Sequence, residues 1–402
     1  MRAESDAPGA GRDADGVSTR AVHAGSGAAV PGAPVVPPVF QSATFYTHAV
    51  PEEEVGYTRF GRNPNHLAVA EKMRALEGAE ASLVLASGNA AAALTLLTLA
   101  GAGDHVVAAR QLYGGTLRLL SRELPRLGIE VTLIDDPADW AAALRPNTRL
   151  LWLELPVNPT LRVPDVRPVA RLAGERGVPL VVDATFATPV NFQPLRHGAT
   201  LALHSGTKYL GGHSDVMAGV VSGPAALVEA IRQSLISFGP VLDPHAAWLL
   251  ERGIKTLAVR MARHNENGMR IAAWVERHPV VARVLYPGLP SHPDHEIARQ
   301  LLEGFGGMVS LVVHGGDEAA LRFVNRLRLL RVAPSLGGVE SLVSMPRYTS
   351  HVALPRAERH ALGIADGFVR LSLGVEDAAD IIADLEQALA PETTAPATAP
   401  AT

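Results

Sequence analysis

The chain of 402 residues contains no cysteine, which removes disulfides, thiol nucleophiles and thiolate metal sites together and fits a reducing compartment. Any nucleophile must be of another kind. Lysine is nearly as scarce: among 36 basic residues only Lys72, Lys208 and Lys255 are lysines, so each is a position to weigh. Excess positive charge is missing too. The 36 basic and 40 acidic residues give a formal charge of -4, with no broad cationic surface for nucleic acid or anionic lipid. No apolar run approaches the roughly 20 residues that span a bilayer, and the opening MRAESDAPGAGRDADG lacks the apolar core of a signal peptide. The expectation is a cytoplasmic protein.

What the chain does have is length and apolar content, 47% hydrophobic, enough for two lobes sharing an interface. Residues 1–16 and the tail PETTAPATAPAT, 391–402, have nothing to bury and are expected to be disordered. Residues 17–64 include VPGAPVVPPVF, which cannot hold a regular helix, and read as an extended arm lying on a partner subunit or on its own domain. From Asn65 to about residue 250, short apolar runs such as ASLVLAS, RLLWLEL, PLVVD and TLALHS alternate with helical segments. That pattern predicts an α/β lobe with a mostly parallel sheet covered on both faces. Residues 251–390 begin with one long amphipathic helix (GIKTLAVRMARHNENGMRIAAWVERH) and predict a smaller α+β lobe.

Ligands gather at the carboxyl ends of strands in α/β sheets, so the residues ending each apolar run carry the functional reading. Gly88-Asn89 opens an alanine-rich helix after ASLVLAS, where free N–H groups stabilise a phosphate; a plain turn with a serine cap fits the same letters. Asp183 ends PLVVD, where a carboxylate either caps a turn or faces a cationic ring nitrogen of a cofactor. TLALHS runs into Ser205-Gly206-Thr207-Lys208, with hydroxyls suited to phosphate and an amine suited to a carbonyl. Lys72 and Lys255 fall in amphipathic helical stretches and read as ordinary solvated lysines. The Lys208 segment lacks the glycine spacing of a Walker loop, no dinucleotide fingerprint occurs, and no G-x-S-x-G elbow is present. His292 and His295 in SHPDH are a poor metal pair, and no metal is expected.

Tyr57-Thr58-Arg59 with Asn63-Pro64, Ser87-Gly88, Tyr113-Gly114-Gly115-Thr116, Glu154-Leu155-Pro156-Val157-Asn158-Pro159, VVDATFATP, HSGTKYLGGHSDVMAG, SLGGVESL and VRLSLGVED follow one another in this order. From about Thr19 to Leu389 the chain resembles the pyridoxal phosphate enzymes of cysteine and methionine metabolism. These include cystathionine γ-synthase, cystathionine γ-lyase, methionine γ-lyase and O-acylhomoserine sulfhydrylase. The resemblance implies the fold-type I architecture of the aspartate aminotransferase kind and pyridoxal 5'-phosphate as cofactor. Lys208 would hold the cofactor as a Schiff base and shuttle protons, and Asp183 would pair with its ring nitrogen. Gly88, Asn89, Ser205 and Thr207 would hold the phosphate, with Tyr57 and Arg59 reaching it from a neighbouring subunit of a dimer of dimers. Tyr113 would stack on the ring and assist the leaving group. Arg370 would grip the substrate α-carboxylate, with Asn158 and Ser335 completing the pocket and Arg118 matching an arginine for a distal group.

Departures bear on substrate. Phe60-Gly61-Arg62 makes three residues where the family usually has two, Asn65 replaces a threonine, Asn89 a methionine and Ala184 an asparagine. Gly56 replaces the acidic residue that often precedes the motif tyrosine in enzymes handling cystathionine. The implied function is γ-elimination or γ-replacement on a small sulfur-containing or O-acylated homoserine-type amino acid, with lyase and synthase not separated. Aminotransfer or racemisation on the same fold, and a non-catalytic interaction protein, are the readings from other classes.

Overall fold

The computed structural model describes residues 15–27, 30–48, 56–349, 351–352 and 354–391. The expected disorder of residues 1–14 and 392–402 concerns segments outside these.

Seven strands build the larger sheet: β1 (Ala81–Leu85), β2 (His105–Ala109), β3 (Glu130–Ile134), β4 (Thr148–Glu154), β5 (Leu180–Asp183), β6 (Leu201–Ser205) and β7 (Gly219–Gly223). Their order is β1-β7-β6-β5-β4-β2-β3. Only β7 runs antiparallel to its neighbours β1 and β6, so the carboxyl ends of the other six share one edge. Alternation along β2 buries both faces. Val106 and Ala108 pack with Leu94, Leu96 and Ile231 on one side, while Val107 packs with Val166 and Val169 on the other. The smaller sheet has β8 (Val281–Leu285), β9 (Met308–Val313), β10 (Arg331–Val332), β11 (Leu342–Ser344) and β12 (Phe368–Ser372), ordered β10-β11-β12-β9-β8.

Two stretches differ from the sequence expectation. Val17–His23 forms a helix, α1, at the start of what reads as an extended arm, because Ala21 finds a buried place beside Val69 and Met73. Tertiary burial overrides the poor local signal of a short segment. The long helix expected from Gly253 onward is interrupted. One helix closes at Ile254, and the next, Leu257–Val275, starts after Thr256 leaves helical geometry. That second helix belongs to both lobes, with Leu257 and Met261 packed on the large one and Ile271, Ala272 and Val275 on the small one.

Candidate active site

The shared strand edge and the small lobe enclose a cavity of about 890 Å³. Beyond β1, Ser87 caps the helix α2 (Gly88–Leu99), its Oγ accepting from the Ala90 N–H at 3.0 Å. The two readings of this turn therefore coexist: the serine is the cap, and the N–H groups of Gly88 and Asn89, which precede the first intrahelical donor, the Ala91 N–H, remain for a ligand. A Cβ on Gly88 would lie 2.8 Å from that of Ser205, so only glycine lets the helix start approach β6 this closely. Ser205 and Thr207 also line the cavity. Thr207 Oγ1 accepts from the Ala218 N–H at 3.1 Å, and the Ser205 N–H donates to Thr185 Oγ1 at 2.8 Å.

Asp183 and Glu154 end the adjacent parallel strands β5 and β4 at paired positions. Asp183 Oδ1 accepts from both the N–H (3.0 Å) and the Oγ1 (2.5 Å) of Thr185. Burial pushes its carboxyl above the usual carboxylate range, against the pull of those bonds. Glu154 accepts from the Tyr113 N–H at 2.6 Å and the Asn158 N–H at 2.8 Å. Burial first, and then the neighbouring Asp183, raise its carboxyl far above normal. Tyr113 opens the helix α3 (Gly114–Arg118) and turns its half-exposed ring into the cavity. A side chain at Gly115 would lie 2.5 Å from a ring carbon of that tyrosine.

Lys208 Nζ donates to Ser335 Oγ at 2.8 Å. Burial, helped by the Arg370 guanidinium, lowers the amine to about 8. Arg370, on β12 and buried, donates to Asn158 Oδ1 at 2.9 Å and to the Ser335 carbonyl at 3.0 Å. Its Nε has no hydrogen-bond partner, which leaves donor capacity for a carboxylate. Ser335 serves both cations from a left-handed backbone, φ 88°, a conformation a non-glycine residue holds only under constraint.

The cavity thus unites Gly88, Asn89, Tyr113, Asn158, Asp183, Ser205, Thr207, Lys208, Ser335 and Arg370. Three predicted residues are not brought to it. Tyr57 and Arg59 lie in a separate hollow with Gln41 and Asp243, where Arg59 donates to the Ile236 carbonyl at 2.8 Å and sits over the Phe60 ring. Arg118 has a 66% exposed side chain 3.6 Å from Glu123. Gly56 lies against Phe45, not along the cavity, and Glu52, Glu53 and Glu54 fall outside the described residues. Glu154, Thr185, Phe186, Met217 and Tyr348 line the cavity without having been singled out for a role from the sequence. Glu154 did carry a signal, a carboxylate ending an apolar run like Asp183; Met217, in a loop, and Tyr348, in the single 3-10 turn Pro346–Tyr348, end no such run. Among the described residues no three metal-ligating side chains converge, and no helix is long and apolar enough to cross a membrane.

Lys72 requires a correction. It is not solvated but wholly buried, donating to the carbonyls of Ala21 (2.9 Å) and Val22 (3.1 Å) with Glu251 at 3.5 Å. A sequence window shows its helix but not the N-terminal helix folded across it.

Residues 18–390 match the model of the Cys/Met metabolism PLP-dependent enzyme family. The chain is 45% identical over 337 residues to cystathionine gamma-synthase 1, chloroplastic, of Arabidopsis thaliana, covering 83% of this chain but only 60% of that longer protein. It is 42% identical over 388 residues to L-methionine gamma-lyase of Fusobacterium nucleatum subsp. polymorphum, covering 93% and 98%. The crystal structure of cystathionine gamma-lyase from Lactobacillus plantarum complexed with L-serine superposes with a TM-score of 0.88 at 39% identity, covering 93% and 98%. This chain belongs to the Cys/Met metabolism PLP-dependent enzyme family, with the fold-type I architecture of that family.

Proposed function

We propose that this protein is a cytoplasmic enzyme that binds pyridoxal 5'-phosphate and carries out γ-elimination or γ-replacement on a sulfur-containing or O-acylated homoserine-type amino acid, in trans-sulfuration and methionine metabolism. One observation carries the reading. The half-buried Lys208 amine, with no carboxylate among its described partners, shares one cavity with Asp183 and with Arg370, whose Nε is unpartnered.

The residues present fit that cofactor. An amine lowered to about 8 holds a neutral fraction of roughly a tenth to a fifth near physiological pH, far more than an ordinary lysine, and is suited to an aldehyde. Asp183, with Oδ1 anchored by Thr185, suits a protonated ring nitrogen. The N–H groups of Gly88 and Asn89 with Ser205 and Thr207 suit a phosphate. When bound, pyridoxal phosphate supplies an aldehyde and an electron-withdrawing ring that stabilises carbanion charge on the substrate. Arg370 then takes the substrate α-carboxylate in its planar fork, held from behind by Asn158 and the Ser335 carbonyl. Lys208 removes the proton at Cα and moves protons along the substrate, and Tyr113 assists proton transfer to the leaving group. Phe186, Met217, Pro334 and Leu336 give the cavity apolar walls that limit water. Tyr57 and Arg59, remote from their own chain's cavity, serve the phosphate of a second copy within a dimer of dimers.

The charged cavity-lining residues among those described are Glu154, Asp183, Lys208 and Arg370, each already engaged, which leaves none for a distal ammonium. Methionine-like and O-acylhomoserine substrates are therefore preferred to cystathionine by about 10- to 150-fold, the effect of roughly 1 to 3 kcal/mol for an unpaired polar group. The test is a panel of L-methionine, L-cystathionine, L-homocysteine and O-acylhomoserines, with and without thiol, read as 2-oxobutanoate and new amino acids. Turnover on none of them refutes the function, and a cystathionine kcat/KM well above the others reverses the preference.

A further inference from the structure

Among the described cavity-lining residues, Glu154 is the buried carboxylate to which the chemistry above gives no task. Its two oxygens are divided between two loops. Oε2 accepts from the backbone N–H of Tyr113 at the start of α3, and Oε1 from that of Asn158 beyond β4. The first loop carries the ring turned into the cavity. The second carries the side chain whose Oδ1 holds Arg370 Nη1 at 2.9 Å. Asn158 and Arg370 are themselves buried, so no solvent replaces these bonds when one is lost. We propose that Glu154 is a positioning residue that sets, through one side chain, both the proton-transfer ring of Tyr113 and the carboxylate-binding fork of Arg370. The inference rests on the proposed roles of Tyr113 and Arg370. What it adds is that binding and proton transfer have a common mechanical origin in the carboxylate that ends β4.

The chemistry of the substitution makes this testable. Glu154→Gln has the same shape, but its amide NH2 cannot accept, so one backbone N–H meets a donor and one bond is lost. A displacement of the order of 1 Å in a positioning group lowers rate and affinity by orders of magnitude. Because the two loops serve different steps, their loss has separable signatures.

The experiment uses the cofactor-loaded full-length chain and two readouts. The first is calorimetric binding of glycine, which offers an α-carboxylate and has no γ-substituent to lose. The second is kcat on the best substrate of the panel. Glu154→Gln is expected to weaken glycine about tenfold and lower kcat about tenfold. In an Asn158→Ala background the same change is expected to alter glycine binding less than twofold while still lowering kcat, because the route to Arg370 is already cut. Glycine binding and kcat unchanged in folded Glu154→Gln overturn the proposal, as does a tenfold binding effect that persists in the Asn158→Ala background. If the Gln chain does not fold, Glu154→Asp, which keeps both acceptors one methylene short, is expected to weaken glycine about threefold, and wild-type binding overturns the proposal. A wild-type protein that turns over no panel substrate refutes the γ-chemistry alone, since the glycine arm reads Glu154 without turnover.

Discussion

Lys72 is buried and Lys208 half-buried, and desolvation lowers both amines to about 8, yet their surroundings are opposite. Lys72 is enclosed by acceptors, the carbonyls of Ala21 and Val22 and the carboxylate of Glu251, which Lys255 approaches at 3.1 Å. Lys208 faces a hydroxyl and a guanidinium across a cavity. Desolvation alone thus does not make an amine reactive. An ammonium surrounded by carbonyls and a carboxylate is a fastening, whereas an amine beside a cation, with open space before it, is available to an incoming carbonyl.

The largest effect that can test this contrast is Lys208→Ala, expected to lower turnover by at least about 10³-fold, since both the anchor and the proton shuttle are lost. Borohydride treatment of the cofactor-loaded protein followed by peptide mapping should place the cofactor on Lys208, and label on Lys72 would dissolve the distinction. Next comes the cation that Lys208 faces. Arg370→Lys keeps a charge but loses the fork shared between Asn158 and Ser335, and KM is expected to rise about 10²-fold with kcat falling less. A KM within threefold of wild type would place the substrate carboxylate elsewhere. A smaller effect reads the amine itself. Below pH about 8 the Lys208 amine is protonated and cannot attack. The rate of cofactor attachment to the cofactor-free protein should therefore rise about tenfold per pH unit and level off above about 8. A rise continuing toward 10.5, the ordinary lysine value, would mean that the cavity does not depress it.

The same contrast explains what could be read in the letters. The edge residues Asp183, Ser205, Thr207 and Lys208 were legible because strand ends in an α/β sheet converge, so an apolar run ending in a polar residue already has a direction. Arg370 and Ser335 come from the other lobe, and only family resemblance tied them to this edge. Glu154 shared the signal of Asp183, but its partners are backbone N–H groups, which have no letter in the sequence. The burial of Lys72 was invisible for a related reason. Its acceptors are carbonyls of a helix some 50 residues away, in a segment whose glycines and prolines read as an arm. Arg118 shows the opposite limit: a motif match supplies a role, while in this chain its side chain lies exposed beside Glu123, apart from the cavity.

The smallest catalytic effect belongs to Lys72, and there the comparison is sharpest. Lys72→Met fills similar space, leaves two carbonyls without their donor and leaves Glu251 with Lys255 alone. A stability loss of about 2–4 kcal/mol follows, measured by denaturant unfolding, while kcat per folded molecule stays within twofold. The pH dependence separates burial from ion pairing. In the folded protein Lys72 loses its proton above about 8, whereas in the unfolded chain it keeps it up to 10.5. Between those values the unfolded state binds more protons, so this group makes the wild type more stable as pH rises. The methionine variant lacks that gain, and the stability gap between the two should widen from pH 8 to 10. A gap that narrows would show that attraction to Glu251 outweighs burial and holds the Lys72 amine above its ordinary value, and Lys72 and Lys208 would then differ in their proton affinity as well as in their neighbours.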